Sequence, residues 1–136
     1  MADITTSTTI NQSDREVVMA FQYQYVDGGN EDAVTKVDVS ALAKNVSGTS
    51  CSAVRIVEVW WVLETMTVIV ESDATVDVTM MHLSDNWGYQ DFSKFGGLPS
   101  TTSYGASPNG DILFTTTGAG AVGDAYQIVL RMIKQY

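Results

Sequence analysis

The chain has 136 residues, few enough for one domain, and 45% of them are hydrophobic, so a packed core is feasible without disulfides or bound metal. Sixteen Asp and Glu against seven Lys and Arg give a net charge of −9, and an acidic surface repels phosphate, so no nucleic-acid partner is expected. The single cysteine excludes an intrachain disulfide and fits a reducing cytoplasm, and no apolar run approaches the ~20 residues that span a membrane.

The first 14 residues are polar and rich in Thr and Ser, with no sustained hydrophobic period. They lack the basic and apolar segments of a secretory signal, so we expect none. Because such a segment buries too little apolar surface to fold alone, we predict an extended N-terminal arm over residues 1–14 that lies along a neighbouring subunit in an assembly. Ile4 and Ile10 are its interface candidates.

The rest of the chain, residues 15–136, shows strand-period alternation almost from end to end. Phe21, Tyr23 and Tyr25 alternate with glutamines, and since successive side chains of a strand point to opposite faces, such runs build one apolar and one polar face. Seven or eight strands at this spacing predict a single all-β domain, a β-sandwich for which the jelly roll is one candidate topology. The predicted strands are Glu16–Val26, Val34–Val39, Val54–Leu63, Thr65–Val70, Ala74–Met81, Asp111–Thr117 and Asp124–Lys134.

The central strand, Val54–Leu63, is the most apolar part of the chain and carries apolar residues on both faces, among them Trp60 and Trp61. This pattern indicates a strand that is covered on both sides, or one with a face in the core and a face at an interface. The apolar residues that a single sheet face does not need are candidates for a contact between subunits.

The segment Ser84–Tyr104 has aromatic residues between glycines and no clean period, which predicts a long structured loop. Its aromatic residues are Trp87, Tyr89, Phe92 and Phe95. Such side chains stack on sugars or form the centre of protein interfaces. The alternative is a loop that folds over the sheet and closes the core.

No set of residues in the sequence predicts catalysis or a cofactor, so we expect a protein that is not an enzyme. His82 is the only histidine, and a role in packing or hydrogen bonding is favoured for it. Together with Cys51 it provides too few zinc ligands. The oxygen-rich loop Asp27–Asp32 does not have the spacing of a calcium-binding EF-hand, and the glycines of 118–123 precede a strand instead of a phosphate-binding helix, so we predict no metal site.

Several short motifs occur in an order that resembles small virion proteins of marine tailed bacteriophages. They are the run KVDVSAL at Lys36–Leu42, the aromatic and glycine segment Asp91–Gly97, the strand start Gly110–Ile112 and the C-terminal run Asp124–Lys134. The resemblance spans residues 20–134, and the Thr/Ser-rich N-terminus is longer than the family pattern. Members of the family are virion structural proteins, several of them capsid decoration (cement) proteins.

The resemblance implies a protein made in the cytoplasm of the bacterial host and located on the capsid surface of the virion. Its partners would be the major capsid protein and further copies of itself, in a homo-oligomer for which a trimer is the expectation, without nucleic acid or membrane. Alternatives are a tail, neck or fibre-associated virion subunit, and a carbohydrate-binding β-sandwich with aromatic stacking platforms. The interface candidates are Ile4, Ile10, Trp60, Trp61, Trp87, Tyr89, Phe92 and Phe95.

Overall fold

The computed structural model describes residues 3–136, and in that range the chain forms nine strands and three short 3₁₀ helices. None of these helices has the length and apolar character that crossing a membrane requires. The strands are β1 Ile4–Gln12, β2 Glu16–Gln24, β3 Val34–Val37, β4 Ala53–Glu64, β5 Thr67–Ser72, β6 Val78–Leu83, β7 Trp87–Asp91, β8 Ile112–Thr117 and β9 Ala125–Gln135. The 3₁₀ helices are Val39–Ala41, Ser93–Phe95 and Thr101–Ser103.

The strands form two antiparallel sheets, which confirms the predicted β-sandwich. One sheet has five strands in the order β1-β2-β9-β4-β7, and the other has four in the order β3-β8-β5-β6. Eight of the strands form nested antiparallel pairs, which are β2·β9, β3·β8, β4·β7 and β5·β6. Such nesting arises when the chain forms one long hairpin, with four strands in each arm, that is wound into a sandwich. This nesting is the topology of a jelly roll, with β1 added at the edge.

The core lies between the sheets and is built by the alternation that the sequence displays. Phe21 on β2 packs edge-on against Phe114 on β8 with ring centroids 5.3 Å apart, and Phe114 contacts Tyr126 on β9 in the same way. These rings join the two sheets at their centre. Other residues of the same interior include Val17, Val37, Ile56, Val59, Leu63, Val70, Ile112, Ile128, Leu130 and Met132.

The N-terminal segment differs from the predicted arm. Residues 4–12 form strand β1, which pairs along the whole of β2 with one bulge at Ile10, whereas Met1 and Ala2 lie outside the described residues. The strand has no hydrophobic period because its side chains from Ile4 to Asn11 are exposed on both faces. Backbone hydrogen bonds to β2 hold it, and these do not depend on apolar side chains.

The predicted loop Ser84–Tyr104 is also more regular than expected. It contains strand β7 and two of the 3₁₀ helices, and β7 forms the edge of the five-stranded sheet beside β4. Gly88 interrupts the run of aromatic residues in β7, and the space beside it is filled by a neighbouring side chain. A β-carbon at Gly88 would lie 2.2 Å from a ring carbon of Trp61, so the indole occupies the space that a side chain would take.

Candidate functional site

The five-stranded sheet has one face in the core and one face directed away from the other sheet. Residues directly opposite each other on antiparallel strands share a face, so the register defines rows of side chains across the outer face. One row runs from β7 to β1 through Trp87, Val62, Gln127, Gln22 and Thr6. The next row runs through Tyr89, Trp60, Val129, Ala20 and Thr8.

Exposed aromatic side chains gather at the β7 end of these two rows. We define Trp60, Val62, Trp87 and Tyr89 as the aromatic patch. The rings of Trp60 and Tyr89 stack with centroids 5.2 Å apart at 28°, and the exposed fractions of Trp60, Tyr89 and Trp87 are 38%, 46% and 76%. The patch borders a surface depression of about 330 Å³. Large aromatic residues left this open on a rigid sheet are typical of a surface that another molecule covers.

A charged cluster begins in the following row, where Glu58 and Arg131 lie opposite each other. Arg131 on β9 forms ion pairs with Glu16 and Glu58, the first at 2.9 Å. The hydrogen bond from Arg131 holds the pKa of Glu16 below its usual value. The Tyr89 hydroxyl donates to Glu58 Oε2 at 2.5 Å, and this bond raises the pKa of Tyr89 to about 12. The cluster therefore fixes the Tyr89 ring at the boundary between an apolar and an acidic surface.

The structure brings together only some of the predicted interface residues. Trp61 points to the opposite side of β4 from Trp60, and its Nε1 donates to the Asp85 carbonyl oxygen at 3.1 Å. Trp61 contributes to the lining of the depression beside the aromatic patch, and it also lines a second cavity of about 370 Å³ at the edge of the sandwich, together with the half-buried ring of Phe92. Trp61 and Phe92 are thus part of the margin of the core.

The remaining candidates lie elsewhere. Phe95 is 65% exposed in the 3₁₀ helix that follows β7 and contacts Phe92 with ring centroids 6.1 Å apart. Ile4 and Ile10 lie on β1, at the opposite edge of the sheet from the aromatic patch. Sequence reasoning missed Val62 as a patch residue and Arg131 as its charged neighbour. Val62 carried a signal, since it alternates with Trp60 on the same strand.

Two residues of the oxygen-rich loop Asp27–Asp32 make contacts within the fold. Asn30 Oδ1 accepts a hydrogen bond from the backbone N–H of Ala119, and Glu31 forms a buried ion pair with Lys36, with Nζ and Oε2 2.5 Å apart. His82 is exposed on edge strand β6, so packing, one of the two roles favoured for it, is wrong, whereas hydrogen bonding stays a prediction. Within residues 3–136, no three His, Cys, Asp or Glu side chains are grouped so that they could hold a metal ion.

No protein-family model, curated protein or solved structure matches this chain. Function is therefore inferred from the geometry of the described residues and from the short motifs of the sequence. That geometry offers an apolar contact surface on a rigid support with an acidic border.

Proposed function

We propose that this protein is a virion structural protein of a tailed bacteriophage, a capsid decoration protein that binds the outside of the shell formed by the major capsid protein. It would be made in the cytoplasm of the host and act without a catalytic group or cofactor. The observation that carries the proposal is the aromatic patch, because it is the part of the outer sheet face that gains most from being covered by another protein.

The position of the patch suits an interface that forms without rearrangement. Trp60 and Val62 lie on β4, which is paired on both sides, and Tyr89 and Trp87 lie opposite them on β7. The backbone of paired strands is already ordered before a partner binds, so less of the contact energy is lost in ordering the chain. Trp and Tyr are also the residue types that dominate binding energy at the centre of protein interfaces.

Charge supports a partner surface with a basic border. The chain has a net charge of −9, and Glu58 lies in the row next to the patch, where it is paired with Arg131. An acidic border speeds association with a basic surface and disfavours association with acidic ones. We therefore expect binding to shells to weaken as the salt concentration rises, through slower association.

The experiment mixes the purified protein with shells that lack it and measures co-sedimentation and the temperature at which the shells rupture. We expect saturable binding and a higher rupture temperature. Trp60→Ser and Trp87→Ser should each weaken binding by roughly tenfold or more, as truncation of a central aromatic residue does. Val46→Ser is the matched control, because Val46 is an exposed apolar residue in a loop away from the sheet. Equal rupture temperatures with and without the protein would contradict the stabilising role.

The copy number in the particle separates this proposal from a role in the tail, neck or fibres. A decoration protein that covers a shell is present in hundreds of copies, whereas a ring in the tail or neck holds about a dozen or fewer, since its symmetry is cyclic. Quantitative mass spectrometry of intact virions, with the major capsid protein as the internal standard, gives this ratio directly.

A second candidate function is carbohydrate binding, and one observation favours it. The exposed side-chain amides of Gln22 and Gln127 have no hydrogen-bond partner within residues 3–136, and they lie in the same row as Trp87. Rings beside free amides suit a ligand with one apolar face and several hydroxyl groups. Saturable tryptophan quenching by a glycan that Trp87→Ser abolishes, without any binding to shells, would favour this candidate.

A further inference from the structure

The sequence of strand β1 has a symmetry that its place in the fold makes significant. Residues 4–10 read Ile-Thr-Thr-Ser-Thr-Thr-Ile, which is the same in both directions about Ser7. A palindromic strand that pairs antiparallel with a second copy of itself places each side chain opposite an identical or equivalent one. Such pairing is possible only if the edge of the strand is free.

The outer edge of β1 is free in the described chain. β1 pairs with β2 alone, and across residues 3–136 no other strand lies against its second edge. The side chains of residues 4–11 are all exposed. Natural proteins protect an exposed edge with lysine, proline or inward-pointing charge, and the run from Ile4 to Gln12 contains none of these. Its one protective feature is the bulge at Ile10, near the end of the strand.

We propose that two copies of this chain associate through β1, antiparallel about a two-fold axis at Ser7. Ile4 of one copy then faces Ile10 of the other, Thr5 faces Thr9, Thr6 faces Thr8, and the two Ser7 residues face each other. The two five-stranded sheets become one continuous sheet of ten strands. Pairs of threonine and of β-branched residues across antiparallel strands are favourable, and an isologous contact of this kind closes on itself as a dimer.

Charge favours a second copy as the occupant of this edge. Each copy carries a net charge of −9, so two copies repel each other wherever acidic surfaces meet. The run Ile4–Gln12 carries no Asp, Glu, Lys or Arg, so this contact brings no carboxylate of the strand against another. A palindromic sequence gives no advantage in pairing with an unrelated strand. In a two-fold dimer, by contrast, each pair of facing residues occurs twice, once on either side of the axis.

Both ends of β1 are fixed, so the edge is rigid before a second copy arrives. At the N-terminal end the Asp3 carboxylate accepts hydrogen bonds from the backbone N–H groups of residues 26–29 and from the Tyr23 hydroxyl, at 2.7–3.1 Å. At the other end the buried Lys134 donates from Nζ to Gln12 Oε1 and to the Ser13 carbonyl oxygen. A preformed edge avoids the cost of ordering a flexible arm on association.

The proposed dimer has a consequence for the aromatic patch. Because residues that face each other across antiparallel strands point to the same side of the sheet, the outer faces of both copies lie on one side. Two patches would then meet a partner surface together, which raises the apparent affinity without a new contact. The inference does not rest on the capsid proposal, and its two-fold symmetry differs from the trimer that the resemblance to virion proteins implies.

Sedimentation equilibrium of the full chain tests the association. We expect a species of twice the 14.7 kDa mass of one chain. Ser7→Lys should shift the chain to monomer, since it brings two like charges together at the axis. Ser47→Lys is the control, because it adds the same charge on an exposed loop, and it should leave the dimer intact. Matching thermal unfolding of both variants and the parent at low concentration shows that folding is kept. A monomeric or trimeric parent, or a dimeric Ser7→Lys variant, would overturn the proposal.

A cross-link tests the register. Opposite residues of an antiparallel pair have β-carbons about 4.5–5.5 Å apart, close to the roughly 3.5–4.5 Å that a disulfide needs. Ser7→Cys should therefore form a covalent dimer under mild oxidation, and Ser47→Cys should not. The native Cys51 is buried and should not compete. Absence of a Ser7 cross-link, or equal cross-linking at both positions, would overturn the two-fold axis at Ser7 even if shells are bound.

Discussion

Both faces of the five-stranded sheet carry large apolar side chains, yet they differ in what covers them. On the inner face, Phe21 and Ile128 have no exposed surface, because the four-stranded sheet packs against them. On the outer face, Trp60 and Trp87 remain accessible. Apolar composition therefore predicts that a face will be covered, and the topology decides whether the cover belongs to the same chain. The outer patch is the part of the sheet for which the fold supplies no cover.

The polar clusters on the two faces also differ in burial. On the inner side, the Tyr126 hydroxyl donates to Glu31 Oε1 at 2.6 Å, and Lys36 completes the buried cluster. Burial is the main cause that raises the pKa of Tyr126. On the outer side, the side chains of Arg131 and Glu16 are about one third exposed, and that of Glu58 is 16% exposed. Water can replace a lost partner in the outer cluster but not in the inner one.

The largest effect should come from an inner aromatic residue. Phe21→Ala removes a fully buried ring that contacts Phe114, and it should lower the free energy of unfolding by about 3–5 kcal/mol. Urea denaturation followed by circular dichroism measures this loss. A change below about 1 kcal/mol would mean that the centre of the sandwich is less tightly packed than the contact indicates.

The buried and the partly exposed ion pairs provide the second contrast. Lys36→Met should cost about 3–5 kcal/mol, because it leaves Glu31 charged and buried without its partner. Lys36→Met/Glu31→Gln should recover much of that loss by removing both charges while keeping an acceptor for Tyr126. Arg131→Met should cost only about 0–1 kcal/mol. Denaturant unfolding of all three variants checks this order, and equal costs for Lys36→Met and Arg131→Met would refute the contrast.

Alternation of apolar and polar residues in the sequence predicts the strands that have one buried face. It does not predict a strand whose two faces are both exposed. Phe21 and its neighbours signal β2 clearly, whereas β1 gives no signal because neither of its faces is buried. The apolar residues on both faces of Val54–Leu63 predict more apolar surface than one face needs, and Trp60 and Val62 are exposed on the outer face. What local sequence does not contain is the register that places Tyr89 opposite Trp60 and Arg131 beside Glu58. Those pairings depend on which strands of the jelly roll become neighbours, and this is decided by the whole chain.

A smaller effect, specific to pH, is expected at the edge of the sheet. The hydrogen bonds from Tyr23 and from the loop at residues 26–28 hold the pKa of Asp3 far below its ordinary 3.8. The folded state therefore favours the ionised carboxylate, so its contribution to stability is complete above the unfolded pKa and is lost as pH falls below about 3.8 towards the folded pKa. Asp3→Asn should be less stable than the parent at pH 6, and the difference should shrink between pH 4 and pH 2. Unfolding curves for both proteins across this range provide the measurement, and a difference independent of pH would show that the carboxylate charge is not responsible.

The smallest effect on stability should come from the outer patch. Trp87 is the most exposed tryptophan and stacks on no other ring among residues 3–136, so Trp87→Ser should change the free energy of unfolding by no more than about 0.5 kcal/mol. Trp60→Ser should cost more, by about 0.5–1.5 kcal/mol, because it removes the ring that stacks on Tyr89. Urea unfolding of the isolated protein gives both values. A loss at Trp87 as large as that of Phe21→Ala would mean that the patch serves the fold, whereas a small loss combined with failed partner binding assigns these side chains to recognition.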